Sequence, residues 1–176
     1  MGKKTIIALI IILLVIITSI WLFASIYNTA RSQYNEGHQH SKEIALEKGK
    51  LTSIDTIDTY NGNIKYHIIS GENVNKEPVY AWIPLLTKEQ KKDKNDLDEV
   101  VIKKQSSGIT KEEAIQAVKS EYNVKKLINV KLGMDEDIPI WEVKYKDQSD
   151  RYTFDYVHFS NGEIIKHMAV KNDKFK

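Results

Sequence analysis

Residues 108–122 read Gly-Ile-Thr-Lys-Glu-Glu-Ala-Ile-Gln-Ala-Val-Lys-Ser-Glu-Tyr, and after them the apolar period changes from helical to alternating. Thr110 with Glu113 three positions on predicts a capping box. The Thr110 hydroxyl accepts from the Glu113 amide, and the Glu113 carboxylate reaches back to the amide of Thr110. Ala114, Ile115, Ala117, Val118 and Tyr122 then form one stripe at helical spacing, and Asn123 ends it. Three strands follow. In Val124–Leu132, Ile128, Val130 and Leu132 alternate with Asn129 and Lys131. In Ile140–Lys146, Trp141, Val143 and Tyr145 alternate with Glu142, Lys144 and Lys146, giving one buried and one wet face. In Arg151–Phe159, Tyr152, Phe154 and Tyr156 share a face. Ser160-Asn161-Gly162-Glu163 predicts a tight type I′ turn, because Asn-Gly tolerates positive φ, and Glu163–Val170 closes the sheet. This half of the chain is therefore a helix packed on an antiparallel sheet, an α+β unit.

Working towards the N-terminus, Ser106-Ser107-Gly108 breaks a strand at Glu99–Lys104. Lys88–Glu99 is a run of mixed charge, read as a solvated loop, with a docking patch for a charged partner as the rival reading. Leu51–Tyr60, Ile64–Ser70 and Val79–Leu85 read as strands, and Asn61-Gly62-Asn63 between the first two is a hairpin signal. Asn28 to Lys50 is polar, lacks proline and carries a sparse apolar stripe, so it predicts a helix with Gly37 as an irregularity. Ser41-Lys42-Glu43-Ile44-Ala45-Leu46 is similar to Thr110-Lys111-Glu112-Glu113-Ala114-Ile115, sixty-nine positions later (110 − 41). The repeated order of helix and strands suggests two related α+β modules.

Thr5 to Tyr27 contains no charge. Its twenty-three residues would span about 34 Å as a helix, against about 30 Å for a bilayer's hydrocarbon core. A cleaved signal peptide, with cleavage after Ala24, is the rival; its apolar region is usually about 7–15 residues. Lys3 and Lys4 form the positive flank that stays in the cytoplasm, and Trp21 and Tyr27 lie near the outer interface. The expectation is a single-pass signal anchor in the cell membrane, with everything after about Asn28 extracytoplasmic.

Beyond residue 27 the chain carries 24 basic and 24 acidic groups, because only Lys3 and Lys4 of the total precede it. That balance argues against nucleic acid as a partner. The absence of cysteine excludes disulfides, thiolate metal sites and cysteine nucleophiles, and it suits a Gram-positive extracytoplasmic protein. His38 and His40 would point to opposite faces of a helix, and His67, His158 and His167 lie singly on strands. Asp135-Glu136-Asp137 lacks the glycine and further oxygen ligands of a calcium loop. No metal or other cofactor is therefore expected, and no nucleophile elbow, zinc-protease or phosphate-loop motif predicts an enzyme. Tyr80 and Trp82 stand out as candidate partner-binding residues, because aromatic side chains dominate interface energetics and Pro84 marks a strand end. The aromatics of the second half fit the apolar phase of their strands and read mostly as core.

The stretch Gly108–Ala114, the strands beyond it and the Ser160–Ile165 hairpin resemble a PepSY domain. With Val79-Tyr80-Ala81-Trp82-Ile83-Pro84 and the anchor, the whole chain resembles the TseB-like family, also called the YpmB family. The resemblance implies a single-pass protein of Gram-positive bacteria with two cystatin-like modules. It also implies a non-enzymatic regulator of cell-wall elongation that associates with a membrane-bound penicillin-binding transpeptidase. The expected organisation is 1–27 stub and anchor, 28–104 first module, and 105–176 second, PepSY-like module. A protease inhibitor or protease-associated module is the alternative, since PepSY units resemble segments of peptidase propeptides.

Overall fold

The computed structural model describes residues 2–86 and 100–170, so the whole charged Lys88–Glu99 run lies outside the described residues. The chain divides into two compact units, residues 1–40 and 41–176. Helix α1 (Lys3–Glu47) runs 45 residues and passes unbroken through Gly37. A glycine costs a helix interior only about 1 kcal/mol, too little to interrupt one this long. In the first unit the side chains from Ile12 to Tyr27 are exposed, with Phe23 at 81% and Trp21 at 72%. Thr18 and Ser19 donate to the carbonyls of Leu14 and Val15 and add no unpaired hydroxyl to that stretch. Among the described residues no helix is long and apolar enough to cross a membrane.

The second unit begins with the last turns of α1, followed by β1 (Leu51–Asn61), β2 (Lys65–Asn73), β3 (Pro78–Pro84) and β4 (Val101–Lys104). These form an antiparallel sheet in chain order. A 3-10 turn at Gln105–Ser107 leads into α2 (Lys111–Glu121), then β5 (Val124–Asp135), β6 (Ile138–Asp147), β7 (Tyr152–His158) and β8 (Ile164–Val170). The second sheet is likewise antiparallel and in chain order. The capping box forms: Glu113 N donates to Thr110 Oγ1 at 3.2 Å, and Thr110 N donates to Glu113 Oε2 at 2.7 Å. Those bonds hold the Glu113 carboxyl below its ordinary value.

Two local expectations are corrected. The hairpin before β8 is not type I′, because Gly162 has φ +77° while Asn161 is not among the positive-φ residues. Gly162 N instead donates to the His158 carbonyl and His158 N to the Glu163 carbonyl, a wider loop needing one left-handed residue. The two-residue turn with both central φ positive lies at Glu136 (φ 47°) and Asp137 (φ 66°), between β5 and β6. In β5, a register shift between Leu127 and Asn129 turns Ile128 outward, 40% exposed, whereas Val130 beyond it is buried.

The first sheet is buried on both faces. Ile69, Val79, Ala81 and Ile83 pack under Ala45 of α1. Tyr66, Ile68 and Trp82, in the opposite phase, join a core that includes Met134, Ile140, Trp141 and Phe159. Two-sided burial is why Val79–Ile83 reads as a continuous apolar run rather than an alternation. Ser41 Oγ and His67 Nδ1, both buried, meet at 2.7 Å where α1 crosses β2. On the second sheet, α2 places Ala114 and Val118 in the same core as Val143, Tyr145 and Val157.

Candidate protein-binding surface

Trp82 and Tyr80 sit on β3, on the side away from α1. Trp82 is fully buried and its indole Nε1 donates to the Gly133 carbonyl at 2.8 Å. Its ring meets Phe159 edge-on at 5.6 Å and Tyr80 at 5.9 Å. Trp82 therefore ties the first sheet to the second and has no surface to offer a partner in this conformation. Tyr80 is half-buried, also touches Phe159 edge-on at 6.1 Å, and lines a groove of about 550 Å³ with Asp58, Thr59, Gln105 and Lys131. Burial pushes its phenol above the ordinary value.

Close packing depends on two glycines, Gly133 where the two sheets meet and Gly108 ahead of α2. A Cβ at Gly133 would lie 2.6 Å from the Tyr60 ring, and one at Gly108 would lie 2.3 Å from the Phe159 ring. Tyr60 of β1 passes over Gly133 and donates its hydroxyl to Glu142 at 3.2 Å. Desolvation, then the neighbouring Tyr156 and Glu142, pushes the Tyr60 phenol far up, so it stays a donor.

The second sheet has one face under α2, carrying Trp141, Val143, Tyr145, Thr153, Asp155 and Val157. The opposite phase of β7 carries Tyr152, Phe154 and Tyr156, paired with Lys146, Lys144 and Glu142 on β6 and with Val170, Met168 and Lys166 on β8. Tyr60 covers the Tyr156 end of this face. Tyr152 and Phe154 belong to neither hydrophobic core. Lys144 stands 5.0 Å from the Phe154 ring centre and 5.5 Å from that of Tyr152. Lys146 lies 5.1 Å from Tyr152, and Lys166 lies 5.1 Å from Tyr156. Lys166 also pairs with Asp135 at 3.2 Å, but neither Lys144 nor Lys146 forms an ion pair among the described residues.

The shared face of Tyr152, Phe154 and Tyr156 is thus present, but it is the face α2 leaves uncovered. Reading these rings as core holds for Trp141 and Tyr145 and not for Tyr152 and Phe154. The short connection between Lys146 and Tyr152 was the available signal. It sets Tyr145 opposite Thr153 and Trp141 opposite Val157, which sends the three rings to the other side.

Sequence reasoning also passed over a buried cluster. Asp155 has no exposed surface; its Oδ1 lies 2.5 Å from His167 Nδ1, and its Oδ2 accepts from Tyr145 Oη at 2.9 Å. Tyr122, at the end of α2, stacks on the His167 ring at 4.2 Å. Burial raises the Asp155 carboxyl, and the bonds from Tyr145 and His167 work against that rise without cancelling it. The cluster clasps β8 to β6 and α2. Among the described residues no group of three or more His, Asp or Glu side chains is placed to hold a metal ion.

Comparison with known proteins fits this architecture. A family model described as the cell wall elongation regulator TseB-like domain matches residues 40–84. Another, described as the peptidase propeptide and YPEB domain (PepSY), matches residues 108–168. The chain is 30% identical over 169 residues to the probable cell wall elongation regulator TseB of Bacillus subtilis (strain 168), covering 96% of this chain and 99% of that protein. The solved YpmB protein from Bacillus subtilis matches with a TM-score of 0.68 at 27% identity, over 77% of this chain and 98% of that one. With the two sequences aligned over nearly their full lengths, the chain belongs to the TseB-like family of cell wall elongation regulators.

Proposed function

We propose that this chain is a non-enzymatic regulator of cell-wall elongation that acts by binding a membrane-bound penicillin-binding transpeptidase. In this reading residues 5–27 anchor it in the cell membrane with a cytoplasmic N-terminus, and the two modules, 28–104 and 105–176, work outside. The observation that carries the reading is the near full-length alignment with a curated regulator of that process. The uncharged apolar run after Lys3 and Lys4 supports the anchor and its orientation. Exposed aromatic surface, with no assembled metal group among the described residues, suits binding rather than chemistry.

The test is crosslinking in living cells from photoreactive residues at Tyr80 and within the charged 88–99 run. Adducts dominated by one penicillin-binding transpeptidase are expected. Depletion of the chain with unchanged transpeptidase level, cell width and wall-drug sensitivity would refute the reading. The propeptide description of the second module's family model supports a second reading, a protease-associated regulator. Dose-dependent inhibition of a secreted protease by the purified chain is its signature.

A further inference from the structure

The two modules repeat one plan, and the repeat assigns a task to the uncovered face. Ala45 and Ala114 occupy the same place in the two similar helix segments, sixty-nine positions apart (114 − 45), and both are fully buried. Each helix packs on a four-stranded meander. In each meander the third strand, β3 or β7, turns aromatic rings away from its helix: Tyr80 and Trp82 in one, Tyr152, Phe154 and Tyr156 in the other. In the first module another protein layer, the second module, covers that face. In the second module, among the described residues, only the Tyr156 end is covered, by Tyr60.

We infer that the open face of the second sheet, centred on Tyr152 and Phe154 with Lys144 and Lys146, is the docking surface for an acidic, apolar-bearing segment of the protein partner. The inference deepens the proposed function and rests on its reading that the chain binds a protein. Charge decides the kind of segment. Among the described residues neither Lys144 nor Lys146 forms a close ion pair, Lys146 acting on Asp150 only at longer range, and their ammonium groups are already held over the rings. They are neighbours in one phase of β6, about 7 Å apart along the strand, the spacing of alternate side chains in an extended peptide. Carboxylates at alternate positions meet both lysines while apolar side chains cover Tyr152 and Phe154. Asp135 at the Lys166 end, Glu142 under Tyr60 and Asp150 beyond Lys125 bound the basic patch. A short acidic segment fits such a patch better than a long polyanion.

The experiment uses the full chain in non-ionic detergent micelles and a fluorescent peptide of alternating Glu and Phe, with an alternating Lys and Phe peptide beside it. Saturable binding of the acidic peptide that weakens as salt is raised is expected. The double variant Lys144→Glu/Lys146→Glu should weaken it about tenfold or more. Lys119→Glu, on the exposed side of α2, should leave it unchanged, and circular dichroism should show all three chains equally folded. Equal binding of both peptides, no binding, or an unaffected double variant overturns the inference. So does a double variant that alters self-association instead, or binding of phosphatidylglycerol-containing micelles in place of the peptide. Capture of the transpeptidase separates this inference from the one beneath it. Capture by the wild type that survives the double substitution removes the docking face and keeps the function. Lysine-dependent peptide binding without transpeptidase capture does the reverse.

Discussion

Replacing Trp82 by alanine tests whether the two modules form one cooperative body. The indole is fully buried between Tyr80 and Phe159 and donates to Gly133. Truncating a buried tryptophan costs about 3–5 kcal/mol from lost transfer energy and the cavity left behind. The buried Gly133 carbonyl would also lose its indole donor, adding about 1–3 kcal/mol if nothing replaces it. A combined loss of about 4–8 kcal/mol is comparable to the whole stability of an ordinary domain, about 5–15 kcal/mol. Trp82→Phe keeps most of the volume and loses the hydrogen bond, so it should cost about 1–3 kcal/mol. Urea unfolding of the full chain in non-ionic micelles, followed by far-ultraviolet circular dichroism, reads both variants without depending on tryptophan emission. The wild type should unfold in one transition, with midpoints ordered wild type, Trp82→Phe, Trp82→Ala. Two separate wild-type transitions, or a Trp82→Ala midpoint displaced by less than about 1 kcal/mol, would refute the reasoning, since a residue tying both sheets cannot be removed so cheaply.

Three further outcomes follow from particular contacts. Burial raises the Asp155 carboxyl, so the folded chain holds that proton more tightly than the unfolded one. The stability linked to it is full below the unfolded value of about 4 and falls as pH rises through the folded value. His167 offsets that fall and its ring also stacks on Tyr122, so His167→Ala should lower the urea midpoint near pH 4 and lower it further at neutral pH; a loss no larger at neutral pH than at pH 4 would contradict this. Gly133→Ala places a Cβ 2.6 Å from the Tyr60 ring and should cost about 1–3 kcal/mol in a melting experiment, with loss of the Tyr60–Glu142 bond. Exchanging Glu136-Asp137 for Asn-Gly, where both φ values are positive, should stabilise the chain by about 1 kcal/mol and raise its melting temperature.

Much of the second module was legible because its signals are local. The capping box, the helical stripe of α2 and the alternation of Trp141, Val143 and Tyr145 each depend on residues within a turn or a strand, and each is present as read. What the sequence hid is pairwise and distant. Tyr152–Tyr156 announces a shared face, but only the β6–β7 register says which face α2 occupies. Ile128 continues the alternation in sequence and is turned out by a bulge no residue type announces. The type I′ turn sits at Glu136-Asp137, where composition argues against it, because a two-residue connection between Asp135 and Ile138 demands it. Asp155 and His167 are twelve positions apart and meet only because β7 and β8 are neighbours. Trp82 reads in the sequence as a partner-binding ring, and in the structure it packs against the second sheet of its own chain.

That outcome bears on how the uncovered face should behave. The third strand of the first module carries aromatic rings on the side away from its helix, and they are sealed by the second module. The corresponding rings of the second module differ in being interleaved with Lys144, Lys146 and Lys166. A bare aromatic sheet face of this kind would invite self-association. Lysines laid over the rings keep the face wet in the free chain, and their charge repels a second copy presenting the same face. The same lysines favour an incoming carboxylate, which brings the apolar contact with it. Neutralising them should therefore have two effects, tighter self-association and weaker capture of an acidic segment. Lys144→Gln/Lys146→Gln separates the face from a merely solvating one: a chain that loses acidic-peptide binding while sedimenting as a larger species has used one set of charges for both purposes. If the glutamines change solubility alone, with peptide binding intact, the lysines only solvate the face and recognition lies elsewhere.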